Sequence, residues 1–260
     1  MNTSQPFNRV KECRHGTMIY NINDVYIGKS FDVYGEYSEG EVHLFKQLIP
    51  QGSVVMEIGA NIGAHTLPLA KMVGPTGAVF AFEPQRVVFQ NLCANMALNS
   101  IPNAYLFNVA VGESRASIVV PDMSPYAAQN FGGLPLGAHT EGQSIDVIVL
   151  NNLNIQVCRF IKVDVEGMEL EVLKGASEVI KRCRPAIYVE NDRTDRSNAL
   201  IRYISSLNYT LYWHLPYLYN PNNFMQNPEN IFPNVVSRNM ICVPKETGNS
   251  LDGFTEVQLD

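Results

Sequence analysis

Short apolar runs alternate with segments of helical periodicity from about residue 53 onward. The first run, "SVVMEI" (53–58), is followed by helical spacing, and the same pairing recurs along the chain. Buried runs that alternate with helices are typical of a mostly parallel, doubly wound sheet, in which ligands bind at the carboxyl edge of the strands. We therefore predict an α/β fold with strands over 53–58, 77–83, 104–111, 159–166, 185–190, 209–214 and 239–244, and helices over 62–72, 85–98, 169–181 and 195–207.

Three stretches do not follow this alternation of strands and helices. Residues 1–50 form a polar and aromatic leader, with predicted strands over 17–22 and 24–29 and a helix over 39–49. We predict that this leader caps a catalytic domain over 51–260, the two forming a single domain. Residues 121–143, rich in Pro, Gly and Ala, indicate a mobile loop or lid. Residues 214–237, dense in Asn and Pro, indicate a long ordered loop for substrate recognition.

Composition narrows the class of protein. The chain has 260 residues, 46% of them hydrophobic, and a net charge of −6, which argues against a nucleic-acid surface. Its five cysteines are scattered and none forms a CxxC pair, which disfavours a disulfide framework or a zinc site. The first residues are polar, and no apolar run approaches the roughly 20 residues of a membrane span. We predict a cytoplasmic protein without membrane contact, whose oligomeric state the sequence leaves open.

A glycine turn follows the first predicted strand in "EIGANIG". Gly59 permits a tight turn without a Cβ clash, and Gly63 lets the helix start approach a ligand. The N–H groups of that helix start favour an anionic group. About 20 residues further on, "AFEP" places Glu83 where a ribose diol would lie. Because the spacing is not G-x-G-x-x-G, the turn resembles that of class I S-adenosylmethionine (SAM) methyltransferases more than a dinucleotide site.

Two longer blocks extend this resemblance. "EIGANIGAHTLPLAKMVGPTGAVFAFEP" and "IKVDVEGMELEVLKGA" are similar to the FkbM-type family of SAM-dependent methyltransferases, over roughly Val54 to Glu190. The resemblance implies a Rossmann-like, seven-stranded sheet, SAM as methyl donor and most often a hydroxyl acceptor on a sugar, polyketide or other small molecule. Carried over onto the matching positions, it also implies the SAM contacts Glu57, Gly59, Ala60, Asn61, Gly63, Glu83, Asn108 and Ala110.

Carboxylates at the ends of the fourth and fifth strands are the candidates for chemistry. Methyl transfer needs an acceptor aligned with the sulfonium and a group that takes its proton. Asp164 and Glu166 share one strand face beside the expected methyl, and either could instead cap the next helix. Glu190 and Asn191 end the next strand, where we predict a catalytic carboxylate and a substrate contact. These oxygens could also hold a divalent metal, but we favour a site without one.

Other polar residues carry weaker signals. His214 ends a strand and could act as a base, and His65 follows the glycine turn near SAM. If the leader folds over the pocket, Glu36 meets the SAM ammonium and Tyr34 shields the methyl; the alternative is a solvated turn whose helix cap is Ser38. Asn220 and Asn223 suit sugar-like hydroxyls, although Asn also forms ordinary turns.

These residues favour a SAM-dependent O-methyltransferase acting on a small molecule, sugar or glycan. Two alternatives stay open: SAM-dependent N-methylation, and a SAM-binding module without catalysis. The acidic charge and the lack of an Asn/Asp-Pro-Pro-Tyr type motif speak against the first. The presence of Asp164 and Glu166 speaks against the second.

Overall fold

The computed structural model describes residues 6–134, 139–248 and 251–258. Its strands and helices follow the alternation of the sequence, with additional strands at both ends and in the middle of the chain. In chain order they are β1 (Asn8–Cys13), β2 (Gly16–Asn21), α1 (Ile27–Tyr34), α2 (Glu39–Leu48), β3 (Val54–Ile58), α3 (Thr66–Val73), β4 (Ala78–Phe82), α4 (Arg86–Leu98), β5 (Ala104–Phe107), β6 (Ala110–Val111), β7 (Ala116–Val120), β8 (Gln143–Ile148), β9 (Phe160–Val163), α5 (Glu169–Gly175), α6 (Ser177–Cys183), β10 (Ala186–Glu190), α7 (Thr194–Ser206), β11 (Tyr209–His214), β12 (Asn239–Pro244) and β13 (Thr255–Glu256).

A large, mostly parallel sheet forms the centre of the molecule. Its strand order is β13-β11-β12-β10-β9-β3-β4-β5. The five strands from β10 to β5 pair in parallel, and β12 runs antiparallel to both β10 and β11. The sheet has eight strands within the described residues, so the predicted count of seven is wrong. The added strand, β13, pairs with Tyr212 and Trp213, and two residues are too short for a periodic signal.

Each face of this sheet carries its own hydrophobic core. Val55 and Met56 are adjacent on β3 but point to opposite faces, so each belongs to a different core cluster. Helices α2, α3 and α4 cover the first face, and α5, α6 and α7 cover the second. The mixed α/β architecture with helices on both faces is therefore as predicted.

The N-terminal segment packs directly onto the central sheet. Phe45 of α2 contacts Phe160 and Tyr188, with ring centroids 5.2 and 4.9 Å away. The predicted helix over 39–49 is confirmed, but the predicted strand over 24–29 is wrong, because α1 begins at Ile27. The Asp24 carboxylate accepts the N–H groups of Tyr26 and Ile27, which starts the helix where apolar content suggested a strand.

Two predicted elements are split in the structure. The run over 104–111 forms β5 and then β6, and β6 joins a second sheet of order β6-β8-β7. The strands β7 and β8 were not predicted. The helix over 169–181 is two helices, α5 and α6. A Cβ on Gly175 would lie 2.0 Å from the carbonyl oxygen of Gly112, so a close backbone approach coincides with the break.

The two predicted loops carry almost no regular structure. The described part of 121–143 before β8 forms an isolated bridge from Gln129 to Asp24, and residues 135–138 lie outside the described residues. The loop over 214–237 is ordered by backbone hydrogen bonds, such as that from Leu218 N to Val235 O, as predicted. Among the described residues, no helix combines the length and the apolar character needed to cross a bilayer.

Candidate active site

A cavity of about 360 Å³ opens at the carboxyl edge of β3, β4, β9 and β10. This is the edge at which ligands bind in open α/β sheets. We call it the strand-edge cavity. The four strand ends supply its acidic floor, while α2, the loop at 130–133 and the segment 235–239 form its walls. Of the residues predicted as site residues, it is lined by Glu57, Gly59, Ala60, Asn61, His65, Glu83, Asp164, Glu166 and Glu190.

The glycine turn brings β3 against β9. Gly59 has φ +85°, and a Cβ on it would lie 1.7 Å from the Asp164 carbonyl oxygen. Only glycine therefore fits at this point. Gly63 also has a positive φ, but a Cβ there would meet Leu92 of α4 at 2.8 Å. Gly63 thus permits helix packing rather than the close approach to a ligand that we predicted for it.

A buried cation lies among the carboxylates of the floor. Lys162 donates from Nζ to Asp164 Oδ2 at 2.9 Å. Burial opposes its charge, but the nearby carboxylates of Asp164, Glu57 and Glu41 raise the pKa of Lys162. Glu57 accepts a hydrogen bond from Thr66 Oγ1 at 2.6 Å. Burial raises the pKa of Glu57 to about 7, although the positive charge of Lys162 acts to lower it. Lys162 lies two residues before Asp164, so strand alternation places both on one face, but sequence reasoning did not assign Lys162 to the site.

Glu83 is held rigidly beside the glycine turn. Its Oε2 accepts the Asn61 N–H at 2.9 Å and its Oε1 accepts the Gln85 N–H at 2.8 Å. Burial raises the pKa of Glu83 to about 7. Asn108 donates to the carbonyl oxygens of Glu83 and Pro84, so it stabilises the chain behind this carboxylate. Asn108 and Ala110 lie outside the residues that line the strand-edge cavity.

Asp164, Glu166 and Glu190 form a carboxylate cluster on the other side of the floor. One carboxylate oxygen from each lies within 4.8 Å of the others. Glu166 has φ +56° and accepts a hydrogen bond from Arg193 Nη2 at 2.7 Å. The buried Glu190 Oε2 has no hydrogen-bond partner, and burial and the neighbouring carboxylates raise the pKa of Glu190 to about 10. Glu190 therefore holds a proton at neutral pH, and the cluster can bind a hydroxyl, accept a proton or ligate a divalent cation.

The wall opposite the cluster comes from α2 and the start of α3. His65 Nε2 is buried without a hydrogen-bond partner, 3.8 Å from Glu41 Oε2. Burial, with a smaller contribution from Lys162, holds the pKa of His65 well below its usual value, and burial raises that of Glu41 to about 7. Sequence reasoning missed Glu41 and Tyr37. Glu41 follows Ser38 with capping-box spacing and accepts its hydroxyl at 2.8 Å, so the pattern indicated a helix cap.

Glu36 lies outside the strand-edge cavity, contrary to its predicted contact with the SAM ammonium. Its carboxylate accepts hydrogen bonds from Arg14 Nε at 2.5 Å, Asn220 Nδ2 at 2.8 Å and Phe224 N at 2.7 Å. We call this set of contacts the Glu36 latch. The latch ties the N-terminal segment to the loop at 214–237, so the buried carboxylate serves the fold.

Tyr34, Asn220 and Asn223 also lie outside the cavity. Tyr34 donates to the Glu229 carbonyl oxygen and accepts the Ile231 N–H, both at 2.8 Å. Asn223 is buried and donates to the carbonyl oxygens of Asn220 and Asn227. Asn223 bonds within the loop, as the turn-forming alternative for Asn predicted, whereas Tyr34 and Asn220 join the loop to the N-terminal segment.

Neither His214 nor Asn191 faces the strand-edge cavity. His214 Nδ1 lies 2.7 Å from Tyr188 OH, and burial lowers the pKa of His214 to about 4. Asn191 is buried with its Nδ2 3.3 Å from Met240 Sδ. His214 is the last residue of β11 and Asn191 follows β10, but their side chains contact Tyr188 and Met240 instead of the cavity.

A family model described as the methyltransferase FkbM domain matches residues 57–211. The chain belongs to the FkbM methyltransferase family. The matched range covers the glycine turn, Glu83 and the whole carboxylate cluster.

Individual relatives agree with that assignment. A crystal structure of methyltransferase FkbM from Methylobacillus flagellatus is 21% identical, with a TM-score of 0.51, and the match covers 75% of this chain and 44% of that one. Methyltransferase 1 of Beauveria bassiana is 28% identical over 50% of this chain. The hexuronic acid methyltransferase AglP of Haloferax volcanii is 30% identical over 58% of this chain. The match spans 60% of the length of each of these two relatives.

Proposed function

We propose that this protein is a SAM-dependent O-methyltransferase that methylates a hydroxyl group of a small molecule or sugar. The observation that carries the proposal is the pairing of the glycine turn with Glu83, one strand away. Two backbone N–H groups fix the Glu83 carboxylate at the cavity floor, where it would accept both hydroxyls of a ribose. Gly59 and Ala60 line the cavity beside this carboxylate, where the amino acid end of SAM would lie.

The floor also suits the positive charge of the cofactor. Among the described residues, the carboxylates lining the cavity are Glu41, Glu57, Glu83, Asp164, Glu166, Glu190 and Asp192, and the cationic side chains are Lys162 and Arg238. This excess of acidic groups stabilises a sulfonium and an ammonium by direct Coulomb attraction. Lys162 donates a hydrogen bond to Asp164 at 2.9 Å, which holds this carboxylate in place beside the reacting atoms.

The reaction is an in-line displacement that needs positioning and a proton acceptor. The acceptor oxygen attacks the SAM methyl carbon, the carbon–sulfur bond breaks, and its electron pair stays on sulfur. The hydroxyl proton passes to Asp164, whose carboxylate is held in position by the hydrogen bond from Lys162. Glu190, which holds its own proton, donates a hydrogen bond to the acceptor and orients it. The products are a methyl ether and S-adenosylhomocysteine.

The charge of the cavity favours a hydroxyl over a carboxyl acceptor. One relative of this chain is named as a hexuronic acid methyltransferase, and a hexuronic acid carries both hydroxyl groups and a carboxylate, so the two kinds of acceptor can be compared. A uronate would enter beside Asp164, Glu166 and Asp192, where like charges repel it. We therefore expect neutral sugars and alcohols to bind better here than the corresponding uronates.

Thermal-shift and calorimetric measurements with SAM, S-adenosylhomocysteine and NAD test the cofactor. We expect the first two to stabilise the protein and NAD to leave it unchanged. Stabilisation by NAD alone would overturn the proposal.

Asp164→Asn tests the chemistry with tritiated SAM and a panel of neutral glycosides and uronates. We expect methyl transfer to fall by about 100-fold or more, while SAM affinity changes by less than about threefold. Asp195→Asn, an exposed carboxylate of α7, is the matched control and should leave turnover unchanged. Full activity in Asp164→Asn, or methylation of the uronates alone, would contradict this assignment.

A further inference from the structure

An exposed apolar surface lies at the mouth of the strand-edge cavity. Leu215, Tyr217 and Val236 are 52%, 67% and 38% exposed. Trp213 lies beside them, half-buried, with the guanidinium of Arg238 4.5 Å from the centre of its ring. We call these five residues the shelf. Single exposed apolar side chains are ordinary, but a contiguous group usually marks a binding surface.

The shelf and the cavity are continuous. Val236 and Arg238 line both the strand-edge cavity and the open groove formed with Trp213 and Leu215. A molecule held in the cavity that extends out past these two residues therefore lies on the shelf without any gap. The two surfaces differ in chemistry, because the cavity is lined largely by polar and acidic groups and the groove by apolar ones with a single cation.

The shelf is a preformed surface. Trp213 belongs to β11 and pairs with Met240 of β12 in the central sheet. Tyr217 and Val236 form an isolated bridge, and backbone hydrogen bonds of 3.0 Å join Leu218 N to Val235 O and Ser237 N to Pro216 O. Because these contacts fix both sides of the groove, an apolar ligand would bind with little ordering of the protein.

We propose that the shelf binds an apolar substituent of the acceptor, an alkyl or aryl group attached next to the hydroxyl-bearing part. The acceptor is thus amphipathic, with its hydroxyl end in the cavity and its apolar end over Trp213 and Leu215. This inference rests on the proposed function, since it takes the cavity to hold SAM and the acceptor hydroxyl. It adds a substrate class that the fold and the family do not specify.

Trp213 makes the shelf directly observable, because it is the only tryptophan in the chain. We would titrate the protein, loaded with S-adenosylhomocysteine, with methyl, octyl and phenyl β-D-glucoside below their micellar concentrations. We expect a saturable shift of Trp213 emission with the octyl or phenyl compound, at an affinity at least about tenfold higher than for the methyl compound. The alkyl and aryl arms show which kind of substituent the shelf prefers.

Exposed-site variants show whether the shelf itself is responsible. Leu215→Ser and Val236→Ser should each weaken octyl glucoside binding by about fivefold to tenfold. Val157→Ser removes an apolar side chain that is 68% exposed away from the shelf, and it should leave the affinity unchanged. All three positions are exposed, so the variants should fold, and equal thermal midpoints would verify this.

Three results would overturn the inference. The first is equal affinity for the methyl and octyl compounds, and the second is unchanged binding in both shelf variants. The third is a Trp213 shift that depends on protein concentration without any glucoside, which would assign the shelf to a second copy of the chain. SAM binding is measured separately by calorimetry. A protein that binds the glucosides but not SAM would therefore overturn the proposed function and not the assignment of the shelf.

Discussion

The strand-edge cavity and the Glu36 latch are both buried and acidic, yet they use their carboxylates in opposite ways. Glu36 accepts three hydrogen bonds from side-chain and backbone donors and is enclosed by the loop at 214–237. Glu190, at the cavity, keeps a buried oxygen without a partner and has a pKa raised to about 10, first by burial and then by its neighbours. Both residues looked like site residues in the sequence.

The difference lies in unfilled hydrogen-bonding capacity. A buried carboxylate whose donors are all supplied by the protein is stabilised as an ion and contributes to the fold. A carboxylate crowded by other acids and left with a free oxygen is unfavourable in the unliganded protein. In the first arrangement a ligand would add no hydrogen bond that the carboxylate lacks. In the second, a ligand that donates to the unpaired oxygen lowers the free energy of the site. Substitutions in the two regions should therefore affect different measurements.

The largest effect is expected at the glycine turn of the cavity. In Gly59→Ala the new Cβ would lie 1.7 Å from the Asp164 carbonyl oxygen at φ +85°. Because neither backbone can move without breaking the β3–β9 pairing, we expect a loss of about 4 kcal/mol or more in unfolding free energy and no measurable SAM binding. Denaturant unfolding and calorimetry test this. Gly74→Ala is the control, since its φ is +68° but no atom lies within 4 Å of the added Cβ.

The next effect separates the latch from the cavity. Glu36→Ala leaves the donors of Arg14, Asn220 and Phe224 without their acceptor, so we expect about 3 kcal/mol of lost stability. SAM affinity should change by less than about threefold. Glu113→Ala, whose side chain is 55% exposed, should stay within about 0.5 kcal/mol of wild type. If Glu36→Ala instead abolished SAM binding at unchanged stability, the latch would belong to the site.

The reverse pattern is expected for Glu83→Gln. The substitution removes the charge and turns an amide N–H₂ toward a backbone donor. The hydrogen bonds from the ribose hydroxyls to this side chain therefore become weaker. We expect SAM affinity to fall by about 30-fold, which corresponds to about 2 kcal/mol, with a smaller change in the thermal midpoint. Glu178→Gln, on the exposed face of α6, serves as the control. Unchanged SAM affinity in Glu83→Gln would remove the observation on which the proposed function depends.

The smallest effect is a pH dependence at the carboxylate cluster. The pKa of Glu190 is raised to about 10 in the folded protein, so the native state binds more protons than the unfolded state between about pH 4.5 and 10. The protonated Glu190 carboxyl therefore contributes fully to the stability of the folded protein below about pH 4.5. This contribution is lost as the pH rises from about 4.5 to about 10. Relative to wild type, Glu190→Gln should therefore gain about 1–2 kcal/mol of unfolding free energy as the pH rises from 5 to 6.5. Parallel stability curves for the two proteins would show that Glu190 is ionised at neutral pH.

The alternating strands, the glycine turn and Glu83 were predictable because their signals are local. Strand burial appears as a continuous apolar run, and a positive φ appears as glycine. The same locality explains the errors. The start of α1 depends on a capping contact from Asp24, and β13 consists of two residues that pair only because a neighbouring strand is exposed at the edge.

The sequence alone established the alternating strands and helices of the central sheet, apart from β13, and which edge of that sheet holds the carboxylates, since periodicity and turn chemistry act over a few residues. Tertiary structure alone decided which acidic residues face that edge. Glu36 meets Asn220, 184 residues away along the chain, and this contact removes it from the site. Glu41 enters the site through the packing of α2 onto the central sheet, where Phe45 contacts Phe160 and Tyr188. Such long-range contacts leave no periodic signal, because they are set by how whole elements pack together.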